Sequence, residues 1–315
     1  MQIYETIQEI DPAAFPDGTA IAIGKFDGLH RGHRAILDRV RDAAPLSSVV
    51  FTFANNPLSF LRPGSCPPAL SSREQRLEAF AAAGIDACAM IAFDESVAAI
   101  PAERFVEEVL VGRLRAKLIV LGADFRFGHR GAGDAALLRS MGERLGFAVE
   151  VVDWVRGPHH EQVSSSRIRE AITGGDIAAA ARMLGRPPAV RGEVVYGDAR
   201  GRELGFPTAN LGGRIEGLIP ADGVYAGWAE VGGRRYVAAI SVGVNLTFEP
   251  DGEPRVEAFL LDFSENIYGE RIEVFFGERL RGMVRFDSLE GLIEQMHADV
   301  RQTRSLCTRA MTEEW

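Results

Sequence analysis

The chain has 315 residues and a mass of 34.3 kDa, with 46% hydrophobic and 25% charged residues and a formal net charge of −9. That length suits two globular cores, and a negative balance without any dense Lys/Arg run excludes a surface built for nucleic acid or acidic lipid. Cys66, Cys88 and Cys307 are odd in number and far apart, which excludes a disulfide framework or zinc knuckle; no tightly bound zinc is expected.

The opening "MQIYETIQEI" lacks a basic region followed by an apolar core, and no stretch reaches the roughly 18 to 20 apolar residues of a membrane span. A cytoplasmic protein with no membrane partner is expected. From Ala20 to about Val155, the runs "AIAIG", "SSVVFTF", "ACAMIAF", "KLIVLG" and "AVEVVDWV" alternate with helical segments such as "PAERFVEEVLVGRL". This is the βαβ signature of an α/β domain, a parallel sheet with helices on both faces. Ser71 and Ser72, with Glu74 and Gln75 three residues on, offer capping boxes for a helix to about Ala83.

"SSSRIREAITGGDIAAAARMLG" reads as two short helices broken at Gly174-Gly175. "GRPPAV" then stops the helix and marks a linker, which places one domain at residues 1–186 and another at 187–315. Beyond it, "RGEVVYG", "GVYAGWAEV", "RRYVAAISVGV", "RVEAFLLDF" and "RIEVFFGERL" are strands of an antiparallel sheet or barrel, with a hairpin signal at Gly232-Gly233. Leu289, Leu292, Ile293, Met296 and Val300 predict an amphipathic helix that packs on the core.

Two stretches carry chemistry. The first, "GKFDGLHRGH", lies between the first strand and the first helix, at the sheet edge where such folds bind ligands. Its glycines allow close backbone approach to a phosphate, and the helix start supplies free N–H groups. His30 and His33 then donate to a polyphosphate. The competing readings are a metal pair, for which the local sequence supplies no third ligand, and a glycine-rich turn with solvated histidines. The second, "GDARGRELGFPTANL", puts Gly197, Gly201, Arg202 and Gly205 beside Thr208 and Asn210, groups able to wrap a nucleotide phosphate and its Mg²⁺. No Walker A lysine motif occurs.

The spacing Gly24-x-Phe26-Asp27-Gly28-x-His30-x-Gly32-His33 resembles the phosphate-binding signature of the nucleotidyltransferase superfamily, in the version found in prokaryotic bifunctional riboflavin kinase/FAD synthetases. "GADFRFGHRGAGD" and "VSSSRIREAITGGD" agree with that family. The resemblance implies a Rossmann-like nucleotidyltransferase domain and, after it, a small antiparallel β-barrel riboflavin kinase domain with a C-terminal helix. It assigns the ATP triphosphate to His30, His33, Ser164, Ser165, Ser166 and Arg167, with Gly24, Phe26, Asp27, Gly28 and Gly32 shaping the pocket. Asp124, Phe125 and Phe127 are placed near flavin or adenine. One departure is Asn56, which stands in "FTFANNPLSF" where the family usually carries a histidine near the flavin. Asn can donate a hydrogen bond but carries no charge.

"GFPTAN" resembles the riboflavin kinase signature, which implies Mg²⁺ and nucleotide contacts for Thr208 and Asn210. "VEAFLLDF" resembles the strand bearing that family's catalytic glutamate, here Glu257, and "SVGVNLTF" departs from it with Leu246 where Pro is common. The function expected is ATP-dependent phosphorylation of riboflavin to FMN, then adenylyl transfer from ATP to FMN. Its rivals are a riboflavin kinase with an impaired first domain and a non-catalytic flavin-binding regulator.

Overall fold

The computed structural model describes residues 1–156, 162–197, 204–244 and 255–310, and contacts divide the chain into two units, Met1–Val163 and Ser164–Trp315. In the first unit, strands β1 (Gln2–Tyr4), β2 (Thr19–Ile23), β3 (Ser47–Phe53), β4 (Ala87–Ile91), β5 (Ala116–Gly122) and β6 (Ala148–Val152) form a sheet in the order β1-β4-β3-β2-β5-β6. Every pairing is parallel, so helices must carry the chain back between strands. They are α1 (Arg31–Arg41), α2 (Pro57–Leu61), α3 (Arg73–Ala82), α4 (Glu95–Ala98), α5 (Ala102–Arg104, continuing as a π-helix over Phe105–Arg113) and α6 (Ala135–Leu145).

Because side chains alternate along a strand, β2 sends Ile21 and Ile23 into a cluster with Val49, Phe51 and Leu121, and Ala20 and Ala22 into another with Leu37, Val50 and Phe80. Both faces of the sheet are therefore covered, as the run of apolar residues predicts. Of the two possible capping boxes, the one at Ser72 and Gln75 forms. The strand order reverses at β2, whose neighbours β3 and β5 lie on opposite sides. The loop leaving β2 is Gly24 to His33, at the position where open α/β sheets bind ligands.

The second unit opens with α7 (Ser165–Gly174) and α8 (Ile177–Leu184), separated at Gly175, whose φ of +79° ends the first helix. Strands β7 (Ala189–Val195), β8 (Ala209–Glu216), β9 (Gly223–Val231), β10 (Arg234–Gly243), β11 (Arg255–Leu260) and β12 (Arg271–Arg281) close into an antiparallel barrel, β10-β11-β8-β7-β12-β9. Gly232 and Gly233 join β9 to β10, Val231 pairing with Arg234 and both glycines at positive φ, which matches the right-handed twist of the hairpin.

The last helix, α9 (Leu289–Ala310), packs on β9, β10 and β12, with Leu292, Ile293, Met296 and Val300 of the apolar stripe half-buried. Asp299, Thr303 and Cys307 are buried while Leu289 is exposed. Asp299 tolerates burial because it is paired, the Arg281 Nη2 to Asp299 Oδ2 contact being 2.7 Å. The sequence-based boundary at 186 groups α7 and α8 with the first domain, whereas the contacts group them with the barrel. Ile177 joins the barrel core, and the Ala221 amide donates to Ile172 O at 3.2 Å.

A barrel fragment starting at Ser164 should therefore melt higher than one starting at Pro187, since burial of Ile177 alone contributes about 1.5 to 3 kcal/mol. Calorimetry of the two fragments checks this; equal midpoints would contradict the packing of α8 on the barrel.

Candidate active sites

The loop from Gly24 to His33 is fixed by residues that face inward. Phe26 (φ +50°) and Leu29 (φ +38°) both adopt left-handed backbone without being glycine, at a cost of about 1 to 3 kcal/mol each. Burial of both side chains offsets it. Phe26 lies edge-on to Phe80 at 5.7 Å and to His33 at 5.1 Å.

His30 is the N-cap of α1, its Nδ1 accepting from the His33 amide at 3.3 Å. A ring nitrogen that accepts is unprotonated, so the proton of neutral His30 sits on Nε2. The His30 ring stacks on His33, centroids 3.6 Å apart and planes at 14°. A Cβ at Gly32 would come within 3.2 Å of the His30 ring, so glycine leaves the stack its room. Burial, together with the His30 ring, holds the His33 pKa well below 6.5, and its Nδ1 is buried without a hydrogen-bond partner. His33 is thus held neutral beside His30 at the start of α1.

Asp27 reaches the segment ahead of α3: its Oδ1 accepts from the Leu70 and Ser71 amides at 2.9 and 3.2 Å. Asn56 caps α2, accepting from the Leu58 amide at 3.1 Å, which leaves its amide nitrogen as the donor. Asp124 is exposed and Phe125 half-buried, whereas Phe127 belongs to the core, stacked on Phe125 at 6.1 Å. Phe127 therefore supports its neighbour from inside. Ser164 caps α7 by accepting from the Arg167 amide at 3.4 Å, and Ser164 to Arg167 fall in the second unit.

In the barrel, register does the positioning. Glu257 on β11 stands opposite Asn210 on β8 and Ser241 on β10. The Thr208 hydroxyl donates to Glu257 Oε2 at 3.5 Å, and Asn210 Nδ2 donates to Thr208 Oγ1 at 3.3 Å. A Cβ at Gly197 would lie 2.6 Å from the Asn210 amide nitrogen, so the chain passes over Asn210 only as glycine. Gly205 turns at φ +86° into Phe206, a residue the sequence reading leaves unassigned. Phe206 is buried between Phe259 (5.4 Å) and His297 (4.9 Å) and fixes the segment that carries Thr208. Gly201, Arg202 and Leu246 lie outside the described residues.

The FAD synthetase family model matches residues 13–167, and the riboflavin kinase model residues 184–307. A bifunctional riboflavin kinase/FMN adenylyltransferase of Pseudomonas fluorescens is 36% identical over 97% of this chain and 98% of its own length. One from Listeria monocytogenes is 34% identical, covering 90% and 91%. A solved structure from Streptococcus pneumoniae, described as a macrolide-efflux protein, is 32% identical, with a TM-score of 0.83 over 96% of this chain and 98% of that one. Among the described residues no helix is long and apolar enough to cross a membrane.

A parallel sheet of the FAD synthetase family joined to a flavokinase barrel defines a two-domain, ATP-using transferase that acts on flavins. The chain belongs to the bifunctional riboflavin kinase/FMN adenylyltransferase family.

The depressed His33 pKa has a measurable sign. Below about pH 6.5 the unfolded chain takes up a proton that folded His33 refuses, so this group's contribution to stability is lost as pH falls through that window. The melting temperature should fall more steeply for the parent than for His33→Asn between about pH 7 and 5. Parallel pH profiles would contradict a neutral, half-buried His33.

Proposed function

We propose that Glu257, Thr208 and Asn210 carry riboflavin phosphorylation, and that the Gly24 to His33 loop, with Ser164, Ser165, Ser166 and Arg167, carries adenylylation of the FMN produced. The observation that carries this reading is the Thr208 to Glu257 contact at 3.5 Å, which joins residues far apart in sequence across the barrel strands. Catalytic hydrogen bonds are commonly long before substrate arrives.

Glu257 takes the proton of the riboflavin 5′-hydroxyl as that oxygen attacks the ATP γ-phosphorus, and ADP leaves. The hydroxyl and amide oxygens of Thr208 and Asn210 suit Mg²⁺, a hard cation that takes its remaining ligands from water and the substrate phosphates. Bound there, it would neutralise charge on the transferring phosphate.

In the first unit, a phosphate oxygen of FMN attacks the ATP α-phosphorus and pyrophosphate departs, so no covalent enzyme intermediate is needed. His30 and His33 donate to the polyphosphate, with the α1 amides behind them. Asp124 and Phe125 stand near flavin or adenine, and Asn56 offers a neutral donor there. The substrates riboflavin, FMN and ATP are small soluble molecules, which fits a cytoplasmic enzyme.

The two assignments separate by mutation. Glu257→Gln keeps shape and removes the base, so riboflavin phosphorylation should fall about 10²- to 10⁴-fold while adenylylation of supplied FMN survives. His33→Ala should lower FAD formation about 10²- to 10³-fold and spare phosphorylation. Each half-reaction is assayed separately, with thermal melts as control; a folded Glu257→Gln protein that phosphorylates riboflavin at the parental rate would remove Glu257 from the chemistry.

A further inference from the structure

Arg76, in the first turns of α3, is 7% exposed. A cation near a helix N-terminus opposes the helix dipole, and burial of a guanidinium carries a desolvation cost that its partners must offset. Its partners are three backbone carbonyls. Nη1 donates to Lys25 O at 3.2 Å and Phe53 O at 2.9 Å, and Nη2 donates to Ala54 O at 2.8 Å.

These carbonyls come from two places. Lys25 is the second residue of the phosphate loop, and it also accepts from the Thr52 hydroxyl at 3.2 Å. Phe53 and Ala54 form the end of β3 and the turn into Asn56. Arg76 therefore ties the loop leaving β2 to the end of β3, on the side away from β5. Asp27, gripping the Leu70 and Ser71 amides just ahead of the same helix, braces the loop at a second point. Burial pulls the Arg76 pKa down and the nearby Asp27 charge opposes the shift, so a positive charge is retained beneath a loop that must receive a polyanion.

We propose that Arg76 is a positioning residue for adenylyl transfer: its guanidinium fixes the back of the Gly24 to His33 loop so that His30, His33 and the start of α1 meet the ATP phosphates in reactive geometry. Local features that cost stability without an apolar gain mark functional sites, and a misplacement of about 1 Å in such a site lowers rates by about 10². The inference rests on the reading that this loop holds ATP.

The test uses the full chain, with riboflavin phosphorylation by the barrel as an internal control. Arg76→Met removes charge and fork; Arg76→Lys keeps the charge but has one nitrogen for three carbonyls. At saturating ATP and FMN, well below each melting midpoint, kcat for FAD formation should fall about 10- to 100-fold in Arg76→Met. Arg76→Lys should recover part of it, and phosphorylation should be unchanged in both. Parental kcat in Arg76→Met would overturn the proposal. So would a loss that cooling restores, or unfolding of the first unit in both variants, since either means Arg76 serves the fold alone. Parental FAD formation in His33→Ala would instead count against the loop as the ATP site, so the two failures are distinguishable.

Discussion

The loop from Gly24 to His33, proposed above to bind phosphate, must hold backbone amides open to an anion and still occupy one position. Exposed amides are hydrated at no cost, but nothing about hydration fixes where they point. Here the fixing is done from inside. Phe26 and Leu29 accept left-handed backbone because their side chains are sealed in the core, His30 closes the helix start with its own ring nitrogen, and Arg76 holds the loop's second carbonyl. Each costs free energy locally and is stabilised by packing.

The barrel solves the same problem by closure. A strand that slips by one residue turns every side chain to the other face, and a closed barrel leaves no free edge at which to slip. Register between β8 and β11 therefore places Glu257 opposite Asn210. Phe206, between Phe259 and His297, then sets the segment just ahead of Thr208. With a net charge of −9, the chain offers a polyphosphate no attractive bulk field, so on the proposed reading attraction falls to local groups such as helix starts.

Much of this was legible from residue order. The run "SSVVFTF" is β3 and "GVYAGWAEV" is β9, residue for residue, because buried strands and hairpins write themselves as apolar period and turn glycines. Other elements left weaker signals. β1 has three residues, too few for any periodicity, and β8 starts at the end of "GFPTAN" and runs through Gly212 and Gly213, which blur its strand pattern. The burial of Asp299 in α9 goes with its pairing to Arg281, which no helical period encodes. In the site, His30 and His33 were visible by spacing, but the lowered His33 pKa follows from its burial and from the His30 ring beside it. Arg76 reads in sequence as one more solvated helix cation; only the fold brings Lys25, Phe53 and Ala54 to it.

The central claim is that one chain runs two consecutive phosphate-transfer reactions at separate sites. Its most direct test is a time course of the purified protein with riboflavin, ATP and Mg²⁺, with the flavins resolved by chromatography. The account predicts that FMN appears first and FAD follows at its expense; FMN that accumulates without FAD, even when fresh ATP is supplied, would contradict it.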